Sequence, residues 1–117
     1  MTRRRAPVDH GTQAGYSKQF TTAVELIGRR WTGAILRALI GGPRRFHELT
    51  AIVPGLSERL LSERLKELER ARVVTRRVLP GPPIAVEYEL TESGRDLEET
   101  ITAIGAWAHR WLPSDAR

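Results

Sequence analysis

A mostly α-helical domain carrying one small β-hairpin is what this sequence predicts, on three observations. Apolar residues recur at helical spacing from Phe20 to Val53 and again from Leu97 to Trp111. Between those stretches the period falls from about 3.6 to 2 in two short segments flanking Pro80-Gly81-Pro82-Pro83. Finally, Pro54-Gly55 separates a short helical segment from a longer, highly charged one. The chain has 117 residues, so one domain is expected. At 40% hydrophobic it can bury a core, although a small one.

In order along the chain, residues 1–15 hold three arginines, two glycines and a proline without apolar periodicity. They read as a flexible basic arm. Tyr16-Ser17-Lys18 leads into a helix with Phe20, Ala23, Val24 and Ile27 at helical spacing, and Gly28 stops it. The segment from Trp31 to Ile40 is the most apolar and is expected to be the central buried helix. Trp31 there reads as core rather than as a stacking platform for a ligand. Gly41-Gly42-Pro43 ends it, because proline cannot continue a helix. A third helix spans Arg45 to Val53, with Phe46, Leu49 and Val53 on one face.

The next helix, from Ser57 to Arg70, organises the reading. At about 100° per residue, Leu61, Leu65 and Leu68 fall within about 40° of one another. Arg59, Ser62, Glu63, Lys66 and Arg70 fall on the far side. Ser57 is a good N-cap, since its hydroxyl can accept from a free N–H of the first turn. A narrow apolar stripe opposite a polar face suits a helix held by a small core and presented to a DNA groove. Taken alone, the same pattern better describes a solvated surface helix laced with ion pairs; the neighbouring helix, turn and hairpin shift the balance toward a DNA reader.

Strands are expected at Val74–Leu79 and Ala85–Leu90, joined by the proline-rich loop. Thr91 then caps one long helix running to about Leu112, with Glu92 in its positive first turn. Leu97, Ile101, Ile104, Ala108 and Trp111 step by 4, 3, 4 and 3, a short coiled-coil-like seam, and Trp107 adds a second stripe. Two stripes imply packing on the domain itself and on a partner copy. The full order is that of a winged helix-turn-helix spanning residues 16–112, followed by a tail, 113–117.

Composition bounds the function. The net charge is +5, and of 19 cationic residues only Lys18 and Lys66 are lysine. A basic balance points to a polyanionic partner, while a GC-rich genome gives the same arginine bias. There is no cysteine, which excludes disulfides, thiolate nucleophiles and cysteine-ligated metals. No apolar run reaches the roughly 18 residues of a membrane helix, and no apolar region follows the basic N-terminus as in a secretory signal. A cytoplasmic location is expected. His10, His47 and His109 fall in separate elements, with no nucleophile motif, phosphate loop or metal-ligand spacing. Neither an enzyme nor a cofactor is expected.

These motifs together resemble the HxlR family of bacterial winged-helix transcriptional regulators. The matching residues are Leu26-Ile27-Gly28 with Trp31, Ile35-Leu36-Arg37-x-Leu39, Gly42-Pro43, Arg45-Phe46-x-Glu48-Leu49 and Pro54-Gly55-Leu56-Ser57. They continue with Leu61-Ser62-x-Arg64-Leu65-x-x-Leu68 and Val86-Glu87-Tyr88-x-Leu90-Thr91-x-x-Gly94. The resemblance implies a homodimer, joined through N- and C-terminal helices, on a dyad-related operator. Phe20, Val24, Leu97, Ile101, Ile104, Trp107, Ala108 and Trp111 are the expected interface. Trp107 and Trp111 would either pack there or line a cavity for an unknown small-molecule effector. Three departures stand out. Many family members carry a sensing cysteine where this chain has Lys18, often a glycine where it has Arg72, and commonly a basic residue where it has Ala85.

On DNA, Ser57, Glu58, Arg59, Ser62 and Glu63 would lie nearest the bases. Arg59 could bind guanine O6 and N7 bidentately, and Glu63 could accept from cytosine N4 or brace Arg59 four residues away. Lys66 reaches phosphate or solvent. Arg44 and Arg45 are candidate phosphate contacts, with an Arg45–Glu48 ion pair as the competing role for Arg45. Arg76 and Arg77 alternate, so one of them can face DNA. The competing function is a winged-helix protein-interaction module without DNA binding, which Glu58, Glu63 and Glu67 favour.

Overall fold

A computed structural model describes residues 17–114. The basic arm, Tyr16 and the end of the tail lie outside the described residues. The helices are α1 (Lys18–Ile27), α2 (Thr32–Ile40), α3 (Phe46–Ile52), α4 (Glu58–Arg70), α5 (Glu92–Asp96) and α6 (Glu98–Trp111). The strands are β1 (Arg44–Arg45), β2 (Val74–Leu79) and β3 (Ala85–Leu90). They form an antiparallel sheet in the order β1-β3-β2.

The core follows from the apolar stripes. Ile35, Leu36 and Leu39 on α2, Leu49 on α3, and Leu61, Leu65 and Leu68 on α4 are all essentially inaccessible. Val74, Tyr88 and Leu90 close the core from one face of the sheet. Truncating any of these leucines to alanine removes several buried methyl groups and leaves a cavity, at a cost of about 2–5 kcal/mol. Both ends of α1 are where the sequence places them: the Ser17 hydroxyl accepts from the Phe20 N–H at 3.1 Å, and Gly28 caps the C-terminus.

Three expectations are corrected. The hairpin is a three-stranded sheet, because Arg44 and Arg45 extend to pair with Tyr88 and Glu87 on β3 before α3 begins at Phe46. Trp31 is not inside α2 but is its N-cap, with a left-handed φ of 79°. Its ring packs against the core and under the α3–α4 turn, where a Cβ on Gly55 would lie 3.4 Å away. The final helix is two helices, interrupted at Leu97. There the Leu97 N–H turns to the Gly94 carbonyl at 3.0 Å, a tighter three-residue turn. α5 is pinned to β3 by the Thr91 cap, whereas α6 packs on α2, so the chain must change direction between them.

Candidate nucleic-acid interface

The turn between α3 and α4 is built from Pro54, Gly55 and Leu56. Gly55 has φ of 91°, a conformation that strains residues with a side chain, and Leu56 plugs the corner into the core. Ser57 then caps α4: its hydroxyl accepts from the Leu60 N–H at 3.1 Å. With Leu61, Leu65 and Leu68 buried, geometry turns the polar face outward. Ser57, Glu58, Arg59, Glu63, Lys66 and Arg70 are exposed, and Ser62 is half-buried. Arg59 is wide open, its side chain 81% exposed, and its guanidinium meets Glu63 at 3.2 Å. An exposed pair of this kind contributes well under about 1 kcal/mol, so Arg59 can leave Glu63 at little cost.

What fixes α4 rotationally is Arg64, which the sequence reading quoted in a motif without assigning it a role. It is 7% exposed. Its Nε–H donates to the Arg30 carbonyl at 2.9 Å, and its Nη1 reaches Glu67 at 3.3 Å. The same Glu67 oxygen accepts from Arg29 at 2.9 Å. Glu67 therefore belongs to the scaffold rather than to the presented face. The available signal was an arginine at the edge of the leucine stripe with a glutamate three residues on.

The flanking cations divide by role. Arg44 donates from Nε to the Ala38 carbonyl at 3.2 Å and is half-buried, which joins β1 to α2. Arg45 is exposed at the N-cap of α3. Glu48 accepts from its backbone N–H at 2.7 Å, in place of the side-chain ion pair that was the competing role for Arg45. The register puts Arg45, Glu87 and Arg77 in one row across the sheet. Arg77 is held by Glu89 at 2.9 Å and Glu87 at 3.6 Å, whereas Arg76 lies on the opposite face and is exposed. No group of histidines and carboxylates that could hold a metal occurs among the described residues.

Of the residues expected at a dimer interface, Ile101 is buried in its own core and Leu97 packs against it. Phe20, Val24, Ile104, Trp107 and Trp111 are exposed, and Ala108 is half-buried. No described helix is long and apolar enough to cross a membrane.

A short helix, a glycine turn, a capped and rotationally locked second helix, and a following β-wing define a winged helix-turn-helix protein. The chain belongs to the HxlR-like helix-turn-helix family, whose model matches residues 26–116. It is 44% identical over 95 residues to the HTH-type transcriptional regulator YodB of Bacillus subtilis (strain 168), covering 80% of this chain and 85% of YodB. Over 100 residues it is 42% identical to the HTH-type transcriptional regulator YvaP of the same strain, covering 86% and 93%. The reduced form of YodB superposes with a TM-score of 0.76 at 42% identity, over 86% of this chain and 99% of that one. The oxidised form of the redox regulator HypR superposes with a TM-score of 0.77 at 33% identity, over 82% and 99%.

Proposed function

We propose that this chain is a sequence-specific DNA-binding transcriptional regulator that acts as a homodimer on a pseudo-palindromic operator. The observation that carries this reading is α4 itself. Its inner face is sealed by leucines, its rotation is fixed by Arg64 on the Arg30 carbonyl, and Arg59 stands exposed near its N-terminus, braced by the exposed Glu63. A recognition helix enters the major groove with its N-terminal residues foremost. Arg59, Ser62 and Glu63 are then the base readers, with Ser57 and Glu58 at the helix start. Arg45, Lys66 and one of Arg76 and Arg77 supply phosphate contacts. Arg44 serves the fold more than the DNA.

The dimer reading rests on the apolar faces that α1 and α6 leave uncovered, with Phe20 at 66% and Trp111 at 65% exposure. A chain this small gains much from burying them against a copy of itself. A solution mass near two chains at micromolar concentration is expected, and a mass near one chain rejects the dimer. Structures of YodB are described as diamide-treated and quinone-bound. This chain has no cysteine, so its regulation, as a repressor or an effector-responsive switch, does not run through a thiol.

A gel-shift titration across salt concentrations tests the DNA reading. Phosphate contacts release counterions, so affinity should fall steeply as salt rises. Absence of any shift on the chain's own upstream DNA, or a flat salt dependence, favours instead an interaction module in which the carboxylates of α4 meet a protein.

A further inference from the structure

The hairpin of β2 and β3 has two faces of different character. Pairing puts Thr75, Arg77, Glu87 and Glu89 on the outer face, where Glu87 and Glu89 neutralise Arg77. Val74, Arg76 and Val78 share the inner face with Leu90, Tyr88 and Val86. Val74, Tyr88 and Leu90 are buried there against the helices, whereas Arg76 and Val78 are exposed. The hairpin therefore runs out past the core, and its inner face continues uncovered. No carboxylate stands on that face, and Arg76 has no ion pair among the described residues.

Beyond Arg76 the tip is apolar. Val78 is 55% and Ile84 69% exposed, and the exposed Pro80, Gly81, Pro82 and Pro83 join them without a charge. A partner for this tip must accept apolar side chains beside an anion. The DNA minor groove does so: its walls are deoxyribose, its rims are phosphate, and isoleucine and proline are among the residues that wedge between base steps there. The hairpin follows α4 in the chain and packs on it, so it borders the surface on which α4 would hold a duplex.

We propose that the wing is an apolar minor-groove wedge, with Ile84 inserted beside the half-site that α4 reads and Arg76, not Arg77, on the adjoining phosphate. This rests on the DNA-binding reading and deepens it. An apolar side chain makes no hydrogen bond that distinguishes bases, but it favours the step that opens at least cost. Pyrimidine–purine steps such as TA and CA unstack and kink most readily. The wing thus selects its flanking sequence by deformability, while α4 selects by contact.

The test uses the full chain and duplexes from its own upstream DNA, labelled at both ends for energy transfer and built with either TA or AA at the flank of the footprint. Wild type should bend the duplex, by roughly 20–90° for a wedge of this kind. It should prefer TA over AA at least about fivefold, the low end for one base-pair change in a site. Ile84 is exposed, so Ile84→Ser should fold like wild type yet lose both the bend and the TA preference, while still preferring operator to scrambled DNA. Arg76→Gln should flatten the salt dependence by about one unit of slope per protomer, and Arg77→Gln should change it much less. A straight wild-type complex, Ile84→Ser bending and discriminating like wild type, or a slope that follows Arg77 overturns the wedge and leaves the α4 reading in place. A changed solution mass for Ile84→Ser makes the tip a contact between copies and also overturns it. No wild-type binding to any of these duplexes overturns both.

Discussion

The Nε–H of Arg64 donates to the carbonyl oxygen of Arg30 at 2.9 Å, joining positions 34 residues apart. The carbonyl belongs to the α1–α2 loop and the guanidinium to α4, so this bond ties the presented helix to the start of the central one. Glu67, shared by Arg64 and Arg29, completes the tie. Arg64→Ala takes the side-chain donor from the Arg30 carbonyl and leaves the half-buried Glu67 carboxylate with Arg29 in place of two arginines. A loss of about 2–3 kcal/mol in urea unfolding is expected. Arg64→Lys keeps the charge but cannot reach both oxygens from one planar fork, so it should fall between the two. Wild-type stability in Arg64→Ala would remove this residue from the scaffold.

The end of α4 offers a gain. Arg72 has φ of 64°; its N–H turns back to the Glu69 carbonyl and that of Val73 to the Leu68 carbonyl, both at 2.9 Å. That pair of bonds is a Schellman cap, in which glycine is preferred because a Cβ crowds the left-handed conformation. Arg72→Gly should stabilise the fold by about 0.5–1 kcal/mol, the relief of strain being partly offset by a freer unfolded chain. A raised midpoint of chemical denaturation with an unchanged slope would check this.

Gly94 is required for the opposite reason. A Cβ there would collide with the Val73 carbonyl oxygen, a backbone atom. That oxygen cannot retreat, because it accepts from the Thr91 N–H at 3.0 Å and the Thr91 hydroxyl at 3.1 Å. Gly94→Ala should cost about 2–3 kcal/mol as overpacking separates α5 from the sheet. A thermal unfolding midpoint equal to that of wild type would contradict the close approach.

These positions show what the sequence could and could not disclose. The leucine stripe of α4, its Ser57 cap and both long strands were legible because periodicity and capping are local. Strand β1 was not, since two residues carry no period and Arg44-Arg45 extend only through pairing with β3. The break at Leu97 was hidden because no proline or glycine marks that residue; it arises from two anchors, β3 and α2, that demand different directions. Trp31 looked helical because its left-handed backbone is offset only by tertiary packing of the ring beneath Gly55 and by Arg30 stacked 5.1 Å from it. For the site, composition marked the cations, but only geometry separated the open Arg59 from the structural Arg44 and Arg64.

The central claim is that the exposed start of α4 reads base sequence, and the most direct measurement is the preference of Arg59→Ala for operator over scrambled DNA. Arg59 is open and paired only with an exposed glutamate, so the variant should fold like wild type. Its operator preference should drop by about 5- to 150-fold, equivalent to about 1–3 kcal/mol for one bidentate guanine contact. Non-specific affinity should change far less, through the loss of one positive charge. An Arg59→Ala protein that footprints and discriminates like wild type would contradict the account.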